Sequence, residues 1–479
     1  MNDPVKHHAP NTDFIVRASD ALVDTNLQQA LNKAGSGFVS KRQSAIEQVG
    51  NFDALRDQAQ AVRQKTLKDL DIYLLHFEQK VIESGGQVHW AETPEQMRDI
   101  VLQLCDQHGA KRVTKGKSMV GEEVHLNQAL EQAGIQPFET DLGEYILQLA
   151  EEAPSHIVAP ALHKTKQQVQ TLFQNHHHLG ERKLDAVEDI VNEARQVIRQ
   201  QFLDADLGIT GANLLIAQTG TAVLVTNEGN GDLTATLPKT HIITTAIDKV
   251  IPTWDDASAI IRVLARSATG QAITTYTSFF SGPKTASDKD GPENFHVVLL
   301  DNRRSQLIGS EYQEMLQCIR CGACMNHCPV YQAVGGHTYN SVYPGPMGAV
   351  LTPLMRNEKN DYQLPNASTF CGRCESVCPV RIPLPDLMRK LRNQEQRNTR
   401  FTSLSQCLTK AFCLLALHPR LYRHLSSACV KIASFLGAKR GRFSYLPLLK
   451  GWTQHRDLPA PQGSSFQQQW LKQKQQERQ

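Results

Sequence analysis

In the first 90 positions apolar residues recur at three- and four-residue spacing among charged ones, as in Ala45–Ala61 and Arg63–Val81. That period predicts amphipathic helices. Asn51-Phe52-Asp53 interrupts or caps between the two stretches, and the segment reads as a helical preamble packed on a domain. From about residue 95 to 300 the pattern changes. Short apolar runs at Lys111–Thr114, Pro137–Thr140, Leu214–Ala217, Thr221–Thr226, His241–Thr245 and His296–Leu300 predict strands. Glu122–Gly134 predicts a helix with a glycine C-cap, and Gln218-Thr219-Gly220 a turn. Strands alternating with helices predict a mainly parallel sheet covered on both faces. Residues 305–390 hold cysteines among short helical pieces, and residues 391–455 are basic and helical. Pro459, Pro461, Gly463 and several glutamines predict an extended or disordered end. The expected division is 1–90, 91–304, 305–390 and 391–479.

The chain has 479 residues, 40% hydrophobic and 21% charged. This excludes a disordered chain, a collagen and a polytopic membrane protein. Ala411–Leu417 falls far short of the roughly 20 residues a spanning helix needs. MNDPVKHHAP lacks the apolar stretch of a secretory signal, so a cytoplasmic location is expected. The net charge of +3 hides an asymmetry. From Arg389 onward there are 17 basic and 3 acidic residues, and before it 34 basic and 45 acidic. A basic tail on an acidic body implies contact with something negative: the body, an acidic partner or the inner face of an anionic membrane. Few aromatics interleave the basic residues and no nucleic-acid motif occurs, which disfavours nucleic acid.

Seven of the 11 cysteines lie between Cys318 and Cys378. In a reducing compartment such clustering points to metal or redox chemistry rather than disulfides. Cys318-x2-Cys321-x2-Cys324-x3-Cys328-Pro329 has the spacing of a two-cluster ferredoxin loop, in which the fourth cysteine serves the other cube. Structural zinc usually takes two spaced pairs instead. Cys371-x2-Cys374-x3-Cys378-Pro379 lacks the first cysteine, and Ser368 stands in its place. Crossed ligation assigns Cys318, Cys321, Cys324 and Cys378 to cluster one, and Cys328, Cys371 and Cys374 to cluster two. Cluster two is then either [3Fe–4S] or a four-iron cube with an open or non-cysteine position. Ser368 itself reads as a local cap or turn residue. His337, in Gly335-Gly336-His337, reads as structural, with a ligand or proton-relay role as the sharper alternative. Cys105, Cys407, Cys413 and Cys429 have no metal spacing and read as small buried hydrophobes.

In the α/β region Asn227-Glu228-Gly229-Asn230 follows an apolar strand, where open α/β sheets build sites. Glu228 is the candidate catalytic carboxylate, with a turn glutamate as the bland reading. Asp141 and Glu144 read as a helix N-terminus, His156 and His163 as possible pocket residues, and His176-His177-His178 as an exposed loop. No Gly-x-Gly-x-x-Gly follows a strand and no Walker A sequence occurs.

Thr140-Asp141-Leu142-Gly143-Glu144, Pro154-Ser155-His156-Ile157, Asn227–Asn230, both cysteine runs, Gly335-Gly336-His337, Tyr343-Pro344-Gly345-Pro346 and the Trp452 and Arg456–Pro459 segment together resemble the lactate-utilisation protein B family. The resemblance implies an α/β lactate-utilisation domain similar to the fold of ribose-5-phosphate isomerase and CoA transferases. A ferredoxin-like two-cluster domain and a basic helical C-terminal segment would follow. It implies an iron–sulfur electron carrier in bacterial L-lactate oxidation, partnered by a cysteine-rich iron–sulfur subunit and a second lactate-utilisation-domain protein. Three readings follow: an electron relay, a self-contained organic-acid enzyme working near Glu228, and a membrane-surface adapter.

Overall fold

The computed structural model describes residues 13–398, 404–446, 453 and 456–477. The chain divides into two compact units, Met1–Gln396 and Arg397–Gln479. The first unit begins with four helices, α1 (Phe14–Val23), α2 (Thr25–Glu47), α3 (Phe52–Lys68) and α4 (Leu70–Glu83). The Asn51 side chain accepts the Ala54 N–H and caps α3, as its position before an apolar run suggests. The Arg63–Val81 stretch is not one helix. Asp69 leaves helical geometry between α3 and α4, so α3 turns toward helix Trp254–Ala268 and α4 toward a sheet.

Ten strands follow: β1 (Gln87–Ala91), β2 (Arg112–Gly116), β3 (Gln136–Glu139), β4 (Leu207–Thr210), β5 (Leu214–Ile216), β6 (Thr221–Thr226), β7 (Thr240–Ala246), β8 (Val250–Ile251), β9 (Tyr276–Phe280) and β10 (Asn294–Leu300). Six pair in the order β1-β10-β7-β4-β2-β3, all parallel. Alternate residues of the central strands face opposite layers. Ile242, Val298 and Leu300 pack with Met97, Val101 and Leu130, whereas Ile243, Val297 and Leu299 pack with Phe77 and Val81 of α4. Both faces are dry, which is why these strands read as continuous apolar runs. Each buried aliphatic side chain contributes about 1.5–3 kcal/mol.

The expectation of one mainly parallel sheet holds for these six strands only. A second sheet, β8-β5-β6-β9, pairs β5–β6 and β6–β9 antiparallel. Its β5–β6 hairpin turns at Gly220, whose φ is 65°. A Cβ there would lie 2.6 Å from the Val81 nitrogen, so only glycine fits. The expected helix Glu122–Gly134 is two helices, Met119–Glu123 and Leu126–Gln132, because His125 is left-handed between them.

The cysteine region is built from short helices whose core is continuous with α3. Met315, Leu316, Val350, Leu351, Leu387 and Leu391 share one cluster with Leu55, Ala59, Val62, Ile260 and Val263.

In the second unit, helices Leu404–Ala416 and Pro419–Gly437 leave Phe412, Leu414, Ile432 and Phe435 exposed, as is Leu417 between them. Cys407, Cys413 and Cys429 lie on these helices and are exposed too, contrary to the buried role expected of them. Burial of a small apolar side chain requires a covering layer, and among the described residues these helices have little within their own unit. The end expected to be extended or disordered instead contains helix Phe466–Gln476. Ser465 and Gln468 form a reciprocal capping box at its start, which outweighs the nearby prolines and glycine. Among the described residues no helix is long and apolar enough to cross a membrane.

Candidate metal centre

The two cysteine runs form the same loop twice, 50 positions apart. Arg320 and Phe370 are both left-handed, with φ of 57° and 54°. Gly322 and Gly372 follow at 75° and 77°, each opening a four-residue helix, Ala323–Asn326 and Arg373–Ser376. Three backbone bonds repeat with the same offset: Asn326 to Gly322 and Ser376 to Gly372, His327 to Ala323 and Val377 to Arg373, Cys328 to Met325 and Cys378 to Glu375. Pro329 and Pro379 follow the last cysteine in each loop.

The thiols are held in two electrostatic groups. Burial is the main cause of the upward shift at Cys321, with the like charges of Cys378 and Cys318 adding to it. Cys324 is likewise raised by burial, then by Cys318, Cys321, Cys378 and more weakly Cys374. Cys378 is pushed up to about 11 by burial. Cys374 is pushed up to about 12 by burial and then by Cys328, and Cys328 is raised by burial and then by Cys371. Cys371 is exposed, and the Thr369 hydroxyl lowers its pKa. Metal binding requires thiolates, so crowded thiols of raised pKa call for a strongly positive partner.

The surroundings fit an iron–sulfur cluster. Arg42 Nε, Arg320 Nη1 and Tyr339 Oη are buried with no hydrogen-bond partner among the described residues. Arg42 is electrostatically coupled to Cys321 and Cys378, and Tyr339 to Cys328 and Cys324. Such donors suit the sulfur atoms of a cluster, which accept hydrogen bonds that tune its potential. Among the described residues no three His, Cys, Asp or Glu converge as ligands of a single ion do. A cube spreads its thiolates over different irons.

The preamble helices form one wall of this centre, which the sequence reading missed. Arg42 of α2 donates to the Val377 carbonyl at 3.0 Å. Arg56 of α3 donates twice to the Cys378 carbonyl, at 3.0 and 2.8 Å. Arg63, fully buried, donates to Leu316 at 2.8 Å, Gln317 at 3.3 Å and Val250 at 3.1 Å. Arg56 and Arg63 fall seven apart on the face that carries Leu55, Ala59 and Val62. Charges on an apolar stripe were the available signal. Behind Cys318, Asp248 pairs with Arg304 at 3.1 Å and Arg320 at 3.5 Å. Arg304 also holds Glu123 at 2.7 Å.

The remaining sequence candidates are dispersed. His156 is buried. Its Nε2 meets Asn326 Oδ1 at 2.9 Å, and its Nδ1 accepts the Val158 and Ala159 amides at 3.0 and 3.1 Å. Burial therefore lowers its pKa to about 4. His163 meets Glu152 at 2.8 Å and Ser155 at 2.7 Å. His337 meets the Ala153 carbonyl at 2.7 Å and stands edge-on to His163, ring centres 4.4 Å apart. A Cβ on Gly336 would lie 1.7 Å from the Ser155 carbonyl oxygen, so this glycine lets the two loops meet. His163 and His337 border a cleft of about 830 Å³ that also touches Glu123 and Tyr343.

Asp141 caps helix Leu142–Ala150 through Gly143 N, and it pairs with Lys117. Glu144 is half-buried, and desolvation together with Glu139 and Asp141 raises its pKa well above the usual carboxylate range. Glu228 is 59% exposed and accepts from Lys117 at 3.0 Å and Thr226 at 3.1 Å, a surface ion pair outside that cleft. The His176–His178 run is not a simple exposed loop. His177 is buried against Tyr145, at 2.7 Å, and Glu193, at 3.2 Å, because the carboxylate and phenol give its ring polar partners. Cys105 is buried as expected. Ser368 Oγ accepts the Phe370 N–H at 3.1 Å.

A doubled ferredoxin-type loop fused through one core to a parallel α/β body defines an iron–sulfur protein with two cluster sites. Family profiles agree: the LUD domain matches residues 74–300, the 4Fe-4S dicluster domain 314–382, and lactate utilisation protein B, C-terminal, 373–476. Lactate utilization protein B of Bacillus pumilus is 42% identical over 97% of this chain and 98% of its own length. That of Anoxybacillus flavithermus is 42% identical over 96% and 98%. The uncharacterized electron transport protein YkgF of Escherichia coli is 41% identical over 96% and 97%. The chain belongs to the lactate utilization protein B family, and its cofactors are iron–sulfur clusters.

Proposed function

We propose that this protein relays single electrons from L-lactate oxidation to a downstream acceptor. Cys318, Cys321, Cys324 and Cys378 hold one cluster, and Cys328, Cys371 and Cys374 hold the other. The observation that carries the reading is the grouping of thiols far apart in sequence: Cys378 with Cys318 and Cys321, and Cys328 with Cys371 and Cys374. The clusters supply one-electron transfer when bound. Oxidation of a hydroxy acid is a two-electron step that needs another cofactor, so the donor belongs to a partner. A cysteine-rich iron–sulfur subunit and a second lactate-utilisation-domain protein are the expected partners. The likeness of the α/β body to ribose-5-phosphate isomerase and CoA transferases is part of the same proposal, supported by Asn227-Glu228-Gly229 at the end of β6. The second unit serves assembly or contact with an anionic membrane, supported by its basic charge and its exposed Phe412, Leu417 and Phe435.

Anaerobic purification with partners, followed by EPR before and after lactate, tests the relay. Both clusters should be reduced by lactate only when the partners are present. Cluster signals that ignore lactate in the assembled system would refute it.

A further inference from the structure

We infer that Ser368 Oγ is the fourth protein ligand of the cluster held by Cys328, Cys371 and Cys374. The inference rests on the ligand grouping proposed above. In the doubled loop Ser368 stands where Cys318 stands in the first copy. The Arg320 N–H approaches Cys318 Sγ at 3.5 Å, and the Phe370 N–H approaches Ser368 Oγ at 3.1 Å. The same backbone geometry surrounds both: left-handed Arg320 and Phe370, left-handed Gly322 and Gly372, then a four-residue helix.

A serine that merely makes a turn explains its bond to Phe370. It does not explain why the oxygen takes the place of a ligand sulfur in a loop that repeats the left-handed positions and three backbone hydrogen bonds of the first. Nor does the turn bond compete with ligation, because Cys318 Sγ accepts its counterpart. Ser368 Oγ makes no other hydrogen bond among the described residues. Its proton and remaining lone pairs are thus uncommitted, three positions before the exposed Cys371.

The chemistry balances without a redox partner. An Fe–O bond forms, the hydroxyl O–H bond breaks, and its proton passes to solvent, as ligand protons do on metal binding. No electron moves. The oxygen is a harder donor than thiolate, so one iron of this cluster differs from its neighbours.

The test uses the full chain, reconstituted anaerobically with iron and sulfide, and reads iron content, Mössbauer and EPR spectra. Wild type should hold about eight irons per chain, Ser368→Ala about seven with a three-iron EPR signal, and Ser368→Cys about eight again. Ser368→Cys should also lose the Mössbauer component of the oxygen-bound iron. Wild-type iron content and spectra in Ser368→Ala would overturn the inference. So would an unchanged Mössbauer spectrum in Ser368→Cys, which decides the matter even if the alanine variant folds poorly. Cys371→Ala and Cys318→Ala separate the two layers of the argument. If Cys371→Ala removes the cluster that Ser368→Ala alters, the grouping stands. If only Cys318→Ala removes it, the grouping fails and this ligand assignment with it, whereas failure of Ser368 alone leaves the Cys371 result intact.

Discussion

Replacing Arg56 by alanine should loosen the cluster that uses Cys378 far more than it loosens the fold. Arg56 is nearly buried on α3 and gives two hydrogen bonds to the Cys378 carbonyl, at 3.0 and 2.8 Å. Removing a charged hydrogen-bond donor from a buried carbonyl costs about 1.5–3 kcal/mol. At 1.4 kcal/mol per factor of ten, iron release from this cluster should become about ten- to a hundredfold easier. The thermal midpoint should fall by only a few degrees, because about 1 kcal/mol moves a domain of 150–250 residues by about 2–4 °C and this unit is larger. The assay is loss of visible cluster absorbance in the presence of an iron chelator, with melting followed in parallel. Arg56→Lys, which keeps the charge and one donor, should fall between. Arg112→Ala, which breaks an exposed pair with Asp204, is the control, since exposed pairs contribute about 0–1 kcal/mol. If Arg56→Ala releases iron at the wild-type rate, the arginine wall is not part of the cluster site.

Three further outcomes are expected. His156 has its folded pKa lowered to about 4, so the unfolded chain takes up the proton first and stability should fall as pH drops from about 6.5 towards 4; urea midpoints at several pH values should show a flatter dependence in His156→Gln. Glu228→Gln should leave lactate-dependent cluster reduction in the assembled system near normal, whereas a loss of about a hundredfold with clusters intact would favour chemistry in the α/β body. Truncation after Gln396 should retain both clusters yet weaken association with partner or membrane, an association that falls as salt rises. A cut after Lys390 is the wrong place for this experiment, because it removes buried Leu391 and Gln394, which accepts a hydrogen bond from Tyr312.

Local spacing was legible and long-range partnership was not. The cysteine runs announced clusters because ligand spacing is a local property, and the central strands announced themselves as apolar runs. The break at Asp69 and the left-handed His125 were hidden, since neither position carries the glycine or proline that marks such a change. The hairpin of β5 and β6 was half visible. Its Thr219-Gly220 turn was plain, but its membership of a separate sheet depends on β9, a half-exposed edge strand with no clear alternation. Cys407, Cys413 and Cys429 were misread because burial is a property of what covers a residue, not of the residue. His177 was misread for the complementary reason: Tyr145 and Glu193, distant in sequence, give it a polar niche inside.

The arginine wall changes what the division into a lactate-utilisation domain and a cluster domain means physically. Arg42, Arg56 and Arg63 come from helices that precede the first strand, and each donates to backbone carbonyls at or next to a cluster cysteine. Arg63 also holds the Val250 carbonyl of β8. One buried side chain thus ties α3, the second sheet and the run into Cys318 together. The apolar core follows the same path, from Leu55 and Val62 through Ile260 to Leu316 and Leu387. Groups packed in one core and one hydrogen-bond network do not lose stability independently. On the proposed ligand assignment, iron binding at Cys318 and Cys378 is therefore linked to the packing of α3 against the α/β body, since whatever binds only the folded state stabilises all of it by mass action. That linkage accounts for the burial of three arginines at a metal centre they do not ligate. They hold the loops in place while supplying positive charge beside thiolates whose own burial would otherwise be costly.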